Sequence, residues 1–352
     1  MRIGIIGAGG VASGSHLPVL TNMPDVTIEW ICDRSLSRAR AVAHSYGIPS
    51  ALADLSRCPE VDVALVATPV GSRSEIIPQA LSLGWHVFCE KPFALTVADH
   101  DAYVAEAGRR GRQIGVGQVR RYARPTASAR KLIERAFLGP VLRVVAADGF
   151  RMRGTGRSGG WHMTDPSAGG GVLAETGSHL IDQVLYILQA ADVSLRACER
   201  RVHLGLELAS SLTADVTTAT GATVECSMDI SLLDDLCNGI FVEFPGYTLR
   251  VGLGFEDSLT LVSREGELLA EFVMQDGSGS AVQGFYMEWK DFLHQCRTGE
   301  RSTIDARTVR QTTALVEACL RGQDASVSAP NEPVVAVAAS GSAAQEEWSG
   351  SR

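Results

Sequence analysis

MRIGIIGAGGVA, residues 1–12, reads as an apolar strand running straight into a glycine loop. The run at 2–6 is unbroken, Gly7-x-Gly9-x-x-Ala12 follows at once, and a helical pattern extends over 11–22. Gly7 permits a tight turn, Gly9 lets the backbone approach a pyrophosphate, and the small Ala12 allows helix and strand to pack closely. Gly10 and Val11 belong to the same loop. There the opening N–H groups of the helix lack intrahelical partners, and its positive dipole end faces an anion.

A second apolar run, 27–32, ends at Asp33, about 20 residues beyond the loop, where a carboxylate can accept hydrogen bonds from a ribose diol. Strand, loop, helix, strand and acid in this order predict a dinucleotide site. The charge of Asp33 repels a 2′-phosphate and favours NAD. Arg34, the next residue, could flank such a phosphate, so NADP or dual use stays open. Further apolar runs at 61–67, 86–89 and 113–117 alternate with helical patterns over 35–46, 72–83 and 97–110. Strands that are apolar throughout belong to a parallel sheet covered on both faces, and the alternation indicates a doubly wound α/β unit.

The pattern changes after about residue 121. A helix over 125–135 leads to a strand at 141–150, a Gly/Ser-rich loop at 153–160 and a helix over 173–188. Strand-like segments follow at 196–208, 211–218, 223–232, 239–244, 247–253, 258–263 and 268–274. Turns such as PGY (245–247) and REGE (264–267) between them predict a large, open, mostly antiparallel sheet. Helices over 282–297 and 306–321 close the fold. The expected organisation is a dinucleotide-binding domain at 1–120, a substrate-binding and oligomerisation α/β domain at 121–322, and a mobile, aperiodic tail at 323–352. With helices on one face only, the second sheet should leave apolar side chains such as those of GIFVEF (239–244) for another subunit to cover. That predicts a homodimer or homotetramer.

Composition narrows the class. A net charge of −8 supplies no basic surplus for phosphate backbones, which argues against nucleic-acid partners. No apolar run reaches membrane-spanning length, so a membrane partner is not expected. The eight cysteines contain no C-x-x-C pair and read as reduced core residues. With no basic, cleavable apolar segment at the start, a cytoplasmic location is expected. Lysine is scarce: Lys91, Lys131 and Lys290 are the only three.

One of them sits where ligands of open α/β folds bind. The fourth run ends in HVFCEKPFAL (86–95), so Glu90 and Lys91 leave the carboxyl edge of the sheet and Pro92 stiffens the exit. In the second half, AGGGVLAETGSHLIDQVLYIL (168–188) spaces Glu175, His179 and Asp182 at i, i+4 and i+7, on one helical face. Gly177 costs this helix about 1 kcal/mol relative to alanine, which suggests that a ligand or a backbone comes close. One histidine with two acids lacks the remaining ligands of a zinc site, so no metal is expected. Beside a cofactor loop, His179 is a candidate proton acceptor.

These residues resemble the Gfo/Idh/MocA family (glucose–fructose oxidoreductase, inositol dehydrogenase, rhizopine catabolism). The likeness rests on Glu90-Lys91-Pro92, on Thr68-Pro69 after the third strand, and on Gly169-Gly170-Gly171-x-x-x-Glu175-x-Gly177-x-His179-x-x-Asp182. It implies a Rossmann domain joined to an α/β domain with an open antiparallel sheet. It further implies that His179 takes the proton of a substrate hydroxyl, that Lys91 hydrogen-bonds the same oxygen, and that Glu175 orients or tunes both. Thr68, Pro69, Glu90 and Lys91 then lie on the cofactor side, and Lys91, Arg120, Trp161, His162, Glu175 and His179 on the substrate side.

Three departures stand out. Glu175 replaces an aspartate, Arg73 replaces the histidine of a TP-x-x-x-His motif and is expected to alter the cofactor-side pocket, and Trp161-His162 replaces a Trp-Arg pair. Together they suggest a substrate other than simple glucose or inositol. Arg120 and Arg121 leave the fifth run at the domain junction, where a substrate contact and a solvated hinge charge are both open. His16 reads as packing. The expected activity is interconversion of a secondary alcohol and a ketone on a sugar, cyclitol or related polyol. A hydrolase or lyase with transient NAD redox, and a non-catalytic dinucleotide sensor, are the alternatives.

Overall fold

A computed structural model describes residues 1–151, 171–203, 205–255, 258–272, 280–322 and 324–326. The glycine-rich loop at 153–160, Trp161 and His162 lie outside the described residues. The first sheet contains β1 (Arg2–Ile6), β2 (Thr27–Cys32), β3 (Ser50–Leu52), β4 (Val63–Val66), β5 (His86–Glu90) and β6 (Ile114–Gly117). All pair in parallel, in the order 3-2-1-4-5-6. Helices α2 (Leu36–Tyr46), α3 (Arg73–Ser82) and α4 (Val97–Arg109) make the crossovers. The order reverses between β1 and β4, so their carboxyl ends open a crevice for a ligand. Strand β3 has no counterpart among the expected apolar runs. Its three residues are all half-buried at the sheet edge and carry no periodic signal.

Both helices that bear expected site residues begin with a wide π turn. The first is Ala12–His16 before α1 (Leu17–Leu20), and the second is Leu173–Gly177 before α6 (Ser178–Ile187). Such turns concentrate at functional sites.

The second sheet has nine strands. They are β7 (Arg143–Gly149), β8 (Ala190–His203), β9 (Leu206–Thr218), β10 (Thr223–Ser231), β11 (Gly239–Glu243), β12 (Tyr247–Val251), β13 (Leu259–Ser263), β14 (Leu268–Phe272) and the short β15 (Asp324–Ser326). Their order is 14-13-12-11-7-10-9-8-15, antiparallel except where β10 meets β7 and β15 meets β8. The segment 196–208, expected as one strand, instead contains a hairpin turn. Gly205 sits there at φ +78, between β8 and β9. Helices α5 (Arg124–Glu134), α6 and α8 (Arg310–Arg321) cover one face and share its core.

The other face corrects an expectation. Ile240, Val242 and Phe244 of GIFVEF point inward and are buried, because side chains alternate along a strand. Phe241 and Glu243 face outward. Around them Arg143 donates to Glu243 at 2.8 Å, Arg250 lies over the Phe241 ring, and Arg196 bridges Asp215 and Glu225. This face is therefore mixed in charge rather than apolar.

Helix α7 (Ala281–Thr298) returns to the first sheet. Its Trp289, Phe292 and Leu293, with Ile304 beyond it, share a core with Ile3, Ile5, Leu17 and Phe88. The approach is close: a Cβ on Gly115 would stand 2.6 Å from the Phe292 ring. Among the described residues no helix is long and apolar enough to cross a membrane.

Candidate active site

The glycine loop forms because β1 must turn sharply against β4. Gly7 adopts φ +102, and a Cβ there would sit 2.5 Å from the carbonyl oxygen of Ala67. No other residue fits this turn without strain. Gly9 and Gly10 differ: among the described residues nothing lies within 4 Å of where their Cβ atoms would stand, so the loop presents bare backbone. Val11 is exposed beside them and Ala12 is buried against the strand.

Asp33 braces this cradle. One of its oxygens accepts from Ala8 N at 2.8 Å, the other from Ser35 N at 2.8 Å, and each keeps a second lone pair. Arg34 is exposed, and Arg38 Nη1 lies 3.7 Å from Asp33. Across the crevice, the buried hydroxyl of Thr68, before Pro69, has no hydrogen-bond partner among the described residues. An open cradle, an acid at the end of β2 and an orphaned hydroxyl fit a bound dinucleotide.

The corner after β5 is held from several directions. Glu90 is buried and turns inward, away from its expected place at the cofactor. Its Oε1 meets His16 Nε2 at 2.7 Å, and its Oε2 accepts from the Lys91 N–H at 3.1 Å. Trp289 Nε1 donates to His16 Nδ1 at 2.9 Å. An indole N–H can only donate, so the His16 proton sits on Nε2, directed at Glu90. His16 therefore both packs and fixes the carboxylate beside Lys91. Burial pushes the Glu90 carboxyl up, but the hydrogen bond from His16 and the charges of Lys91 and Arg73 outweigh it and hold the group below its ordinary value.

Lys91 reaches from the first sheet to the second. Its Nζ lies 2.8 Å from Glu175 Oε1 and donates to the Glu175 carbonyl at 3.1 Å. An ammonium has three donors, so one direction remains for a substrate oxygen. His179 stands one turn further along, on α6, with Nδ1 sealed from solvent and without a hydrogen-bond partner among the described residues. Burial, then the charges of Lys91 and Arg120, push its imidazole well below the ordinary value. The ring is thus neutral near pH 7 and able to accept a proton. Glu175 pairs with Lys91 rather than with His179, so its tuning acts through the ammonium.

The other expected residues divide. Arg120 borders the site, with Nη1 bonded to Asp148 at 2.8 Å and to Gln183 at 3.3 Å. Arg121 is buried and binds Asp182 through two bonds of 2.7 Å, with Thr303 and Thr308 as further acceptors. Asp182 is therefore structural, though it shares a helical face with Glu175. Gly177 faces Leu173 and Ile230, which makes its smallness a packing need rather than a ligand contact.

Sequence reasoning missed Glu288, which is fully buried with neither carboxyl oxygen hydrogen-bonded among the described residues. Burial, then the Glu90 charge, push its carboxyl well above the ordinary range. The neighbouring Gln118 amide favours the charged form, but its N–H donates to Val116 O instead. An acid in an amphipathic helix gives no sequence signal of this kind.

A parallel sheet with a phosphate cradle is thus joined to a sheet domain that meets its lysine with a carboxylate and a neutral histidine. The chain belongs to the Gfo/Idh/MocA oxidoreductase family: residues 1–118 match its NAD-binding Rossmann fold and residues 126–235 its C-terminal domain. It is similar to the D-glucoside 3-dehydrogenase of Escherichia coli, 31% identical over 53% of this chain and 54% of that one. The chain thus spans about half the length of the first curated relatives it matches. The inositol 2-dehydrogenase of Gluconacetobacter diazotrophicus is 23% identical over 95% of this chain and 97% of its own. Among solved structures, KijD10, a 3-ketoreductase from Actinomadura kijaniata in complex with NADP and TDP-benzene, superposes with a TM-score of 0.79 at 19% identity. That match covers 93% of this chain and 99% of the other.

Proposed function

We propose that the protein interconverts a secondary alcohol and a ketone on a sugar, cyclitol or related polyol, with NAD as the preferred cofactor. The observation that carries this is the convergence on α6: Lys91, held by Glu175, faces a histidine kept neutral by burial and by two positive charges. Relatives named for dehydrogenation of glucosides and inositol, and a ketoreductase of the same fold, support the substrate class. None of the cysteines among the described residues forms a disulfide, which suits a cytoplasmic enzyme.

When bound, the nicotinamide supplies the two-electron acceptor for the carbinol carbon. The chain does the rest. His179 takes the hydroxyl proton, and Lys91 donates a hydrogen bond to the oxygen as negative charge develops there. Glu175 keeps the ammonium in place, while Asp33, Gly9, Gly10 and Thr68 receive the dinucleotide.

A panel of polyols, glycosides and keto-sugars, followed at 340 nm with each cofactor, tests this reading. Net NADH formation with at least one member is expected, together with tighter calorimetric binding of NADH than of NADPH. No net redox change across the panel would overturn the activity. Clearly tighter NADPH would overturn the cofactor preference and move attention to Arg34 and Arg38.

A homodimer or homotetramer through the outer face of the second sheet is part of the proposal. Half-buried Val145, Ala147 and Phe241 lie there between opposite charges, and Leu268, Leu269 and Phe272 stay exposed at its edge. Light scattering at micromolar concentration should report an oligomer, and a monomer would refute it.

A further inference from the structure

Arg73 was expected to reshape the cofactor pocket. Instead its side chain, at the start of α3, is only 2% exposed and forms no ion pair among the described residues. Each of its three nitrogens donates to a main-chain carbonyl. Nε and Nη2 bond the oxygen of Thr68 at 3.2 and 2.7 Å, and Nη1 bonds those of Glu90 and Pro92. The last two carbonyls flank Lys91 on either side, while the Lys91 N–H is held by the Glu90 carboxylate. The main chain of the lysine is thus fixed before, at and after it.

Burying a cation without a direct ion pair is costly, and here the cost is offset by the nearby Glu90 charge together with carbonyls of two separate loops. The first, at Thr68, borders the cofactor crevice; the second carries the ammonium that meets the substrate. A planar guanidinium with five donors can span both. A tetrahedral ammonium in its place gathers its three donors on one nitrogen and lacks the planar fork that reaches both loops.

We propose that Arg73 is a positioning residue for Lys91, tying the Thr68 and Glu90–Pro92 loops together so that the ammonium reaches the substrate oxygen and Glu175 at once. The inference rests on the proposed role of Lys91. It accounts for an arginine where the resembling family carries a histidine, because a histidine has too few donors to join all three carbonyls.

The test uses Arg73→Lys, Arg73→His and Arg73→Ala, the last assayed with and without added guanidinium. A shift of about 1 Å in a catalytic group can cost on the order of 10²-fold in rate. Arg73→Lys and Arg73→His should therefore lose kcat on that scale, with NADH affinity and melting temperature close to wild type. Guanidinium should restore part of the kcat of Arg73→Ala. Wild-type kcat in both the lysine and histidine variants would overturn the proposal. So would a fall in kcat matched by an equal fall in NADH affinity. If Arg73→Ala fails to fold, the other two variants decide. Lys91→Ala is assayed in parallel: near wild-type turnover there would sink the role of Lys91 itself, a failure distinct from normal behaviour of the Arg73 variants.

Discussion

His179→Ala should lower kcat for alcohol oxidation by about 10²–10⁴-fold, the range for loss of a general base, while NADH affinity stays within a few-fold of wild type. The imidazole lies on α6, in the second sheet domain, so its removal leaves the glycine cradle and Asp33 untouched. Because burial and the charges of Lys91 and Arg120 hold the group below 6.5, the base is already neutral at and above that pH. The wild-type rate should be flat there and fall only in more acidic solution. Lys91→Met removes one of the two positive charges. The acid limb should then move up in pH, toward the ordinary histidine value, besides the loss of turnover. The two substitutions should be partly non-additive, since both groups act on one oxygen. Near wild-type turnover of His179→Ala on a substrate found in the panel would remove the histidine from the mechanism. An acid limb that stays put in Lys91→Met would remove the electrostatic coupling.

Trp289→Ala should be strongly destabilising, at about 3–5 kcal/mol, as for large aromatic side chains cut back to alanine. The indole is fully buried, stacks on Phe88 with ring centres 4.3 Å apart, and donates the hydrogen bond that sets the His16 proton. Trp289→Phe keeps much of the stacking but leaves Nδ1 of His16 buried and unpaired. A smaller loss of about 1–3 kcal/mol is expected from that. Urea denaturation of both variants measures the difference. A loss below about 1 kcal/mol for the alanine variant would show that α7 does not contribute to the core of the first sheet in solution.

What could be read from the sequence follows the range of the interactions involved. The cradle at Gly7, Gly9 and Ala12, the acid at Asp33 and the corner at Lys91 are local, each set by a strand end and the few residues after it. The pairing of Glu175 with Lys91 was visible only through the family signature, because 84 residues separate them. Arg73 and Arg121 show the limit. Both are arginines near the crevice, and pattern alone cannot tell a side chain that faces a ligand from one that gathers carbonyls or a carboxylate inside the fold. The π turns were illegible for a related reason, since the residues that widen them are contacted from distant elements. The buried face of GIFVEF was legible in principle: strict alternation already sends Ile240 and Val242 one way and Phe241 the other.

Helix α7 also limits how such chains can be recombined. The cofactor-binding unit is not a contiguous cassette, because Trp289, Phe292 and Leu293 are supplied by a helix that follows β14 in the chain. A transplant of residues 1–120 into another scaffold would carry the cradle and the strands but leave the floor beneath Phe88 open. Exchange of cofactor preference by recombination would need crossovers on both sides of α7 as well as after β6, or a host helix that already presents an aromatic surface opposite Phe88.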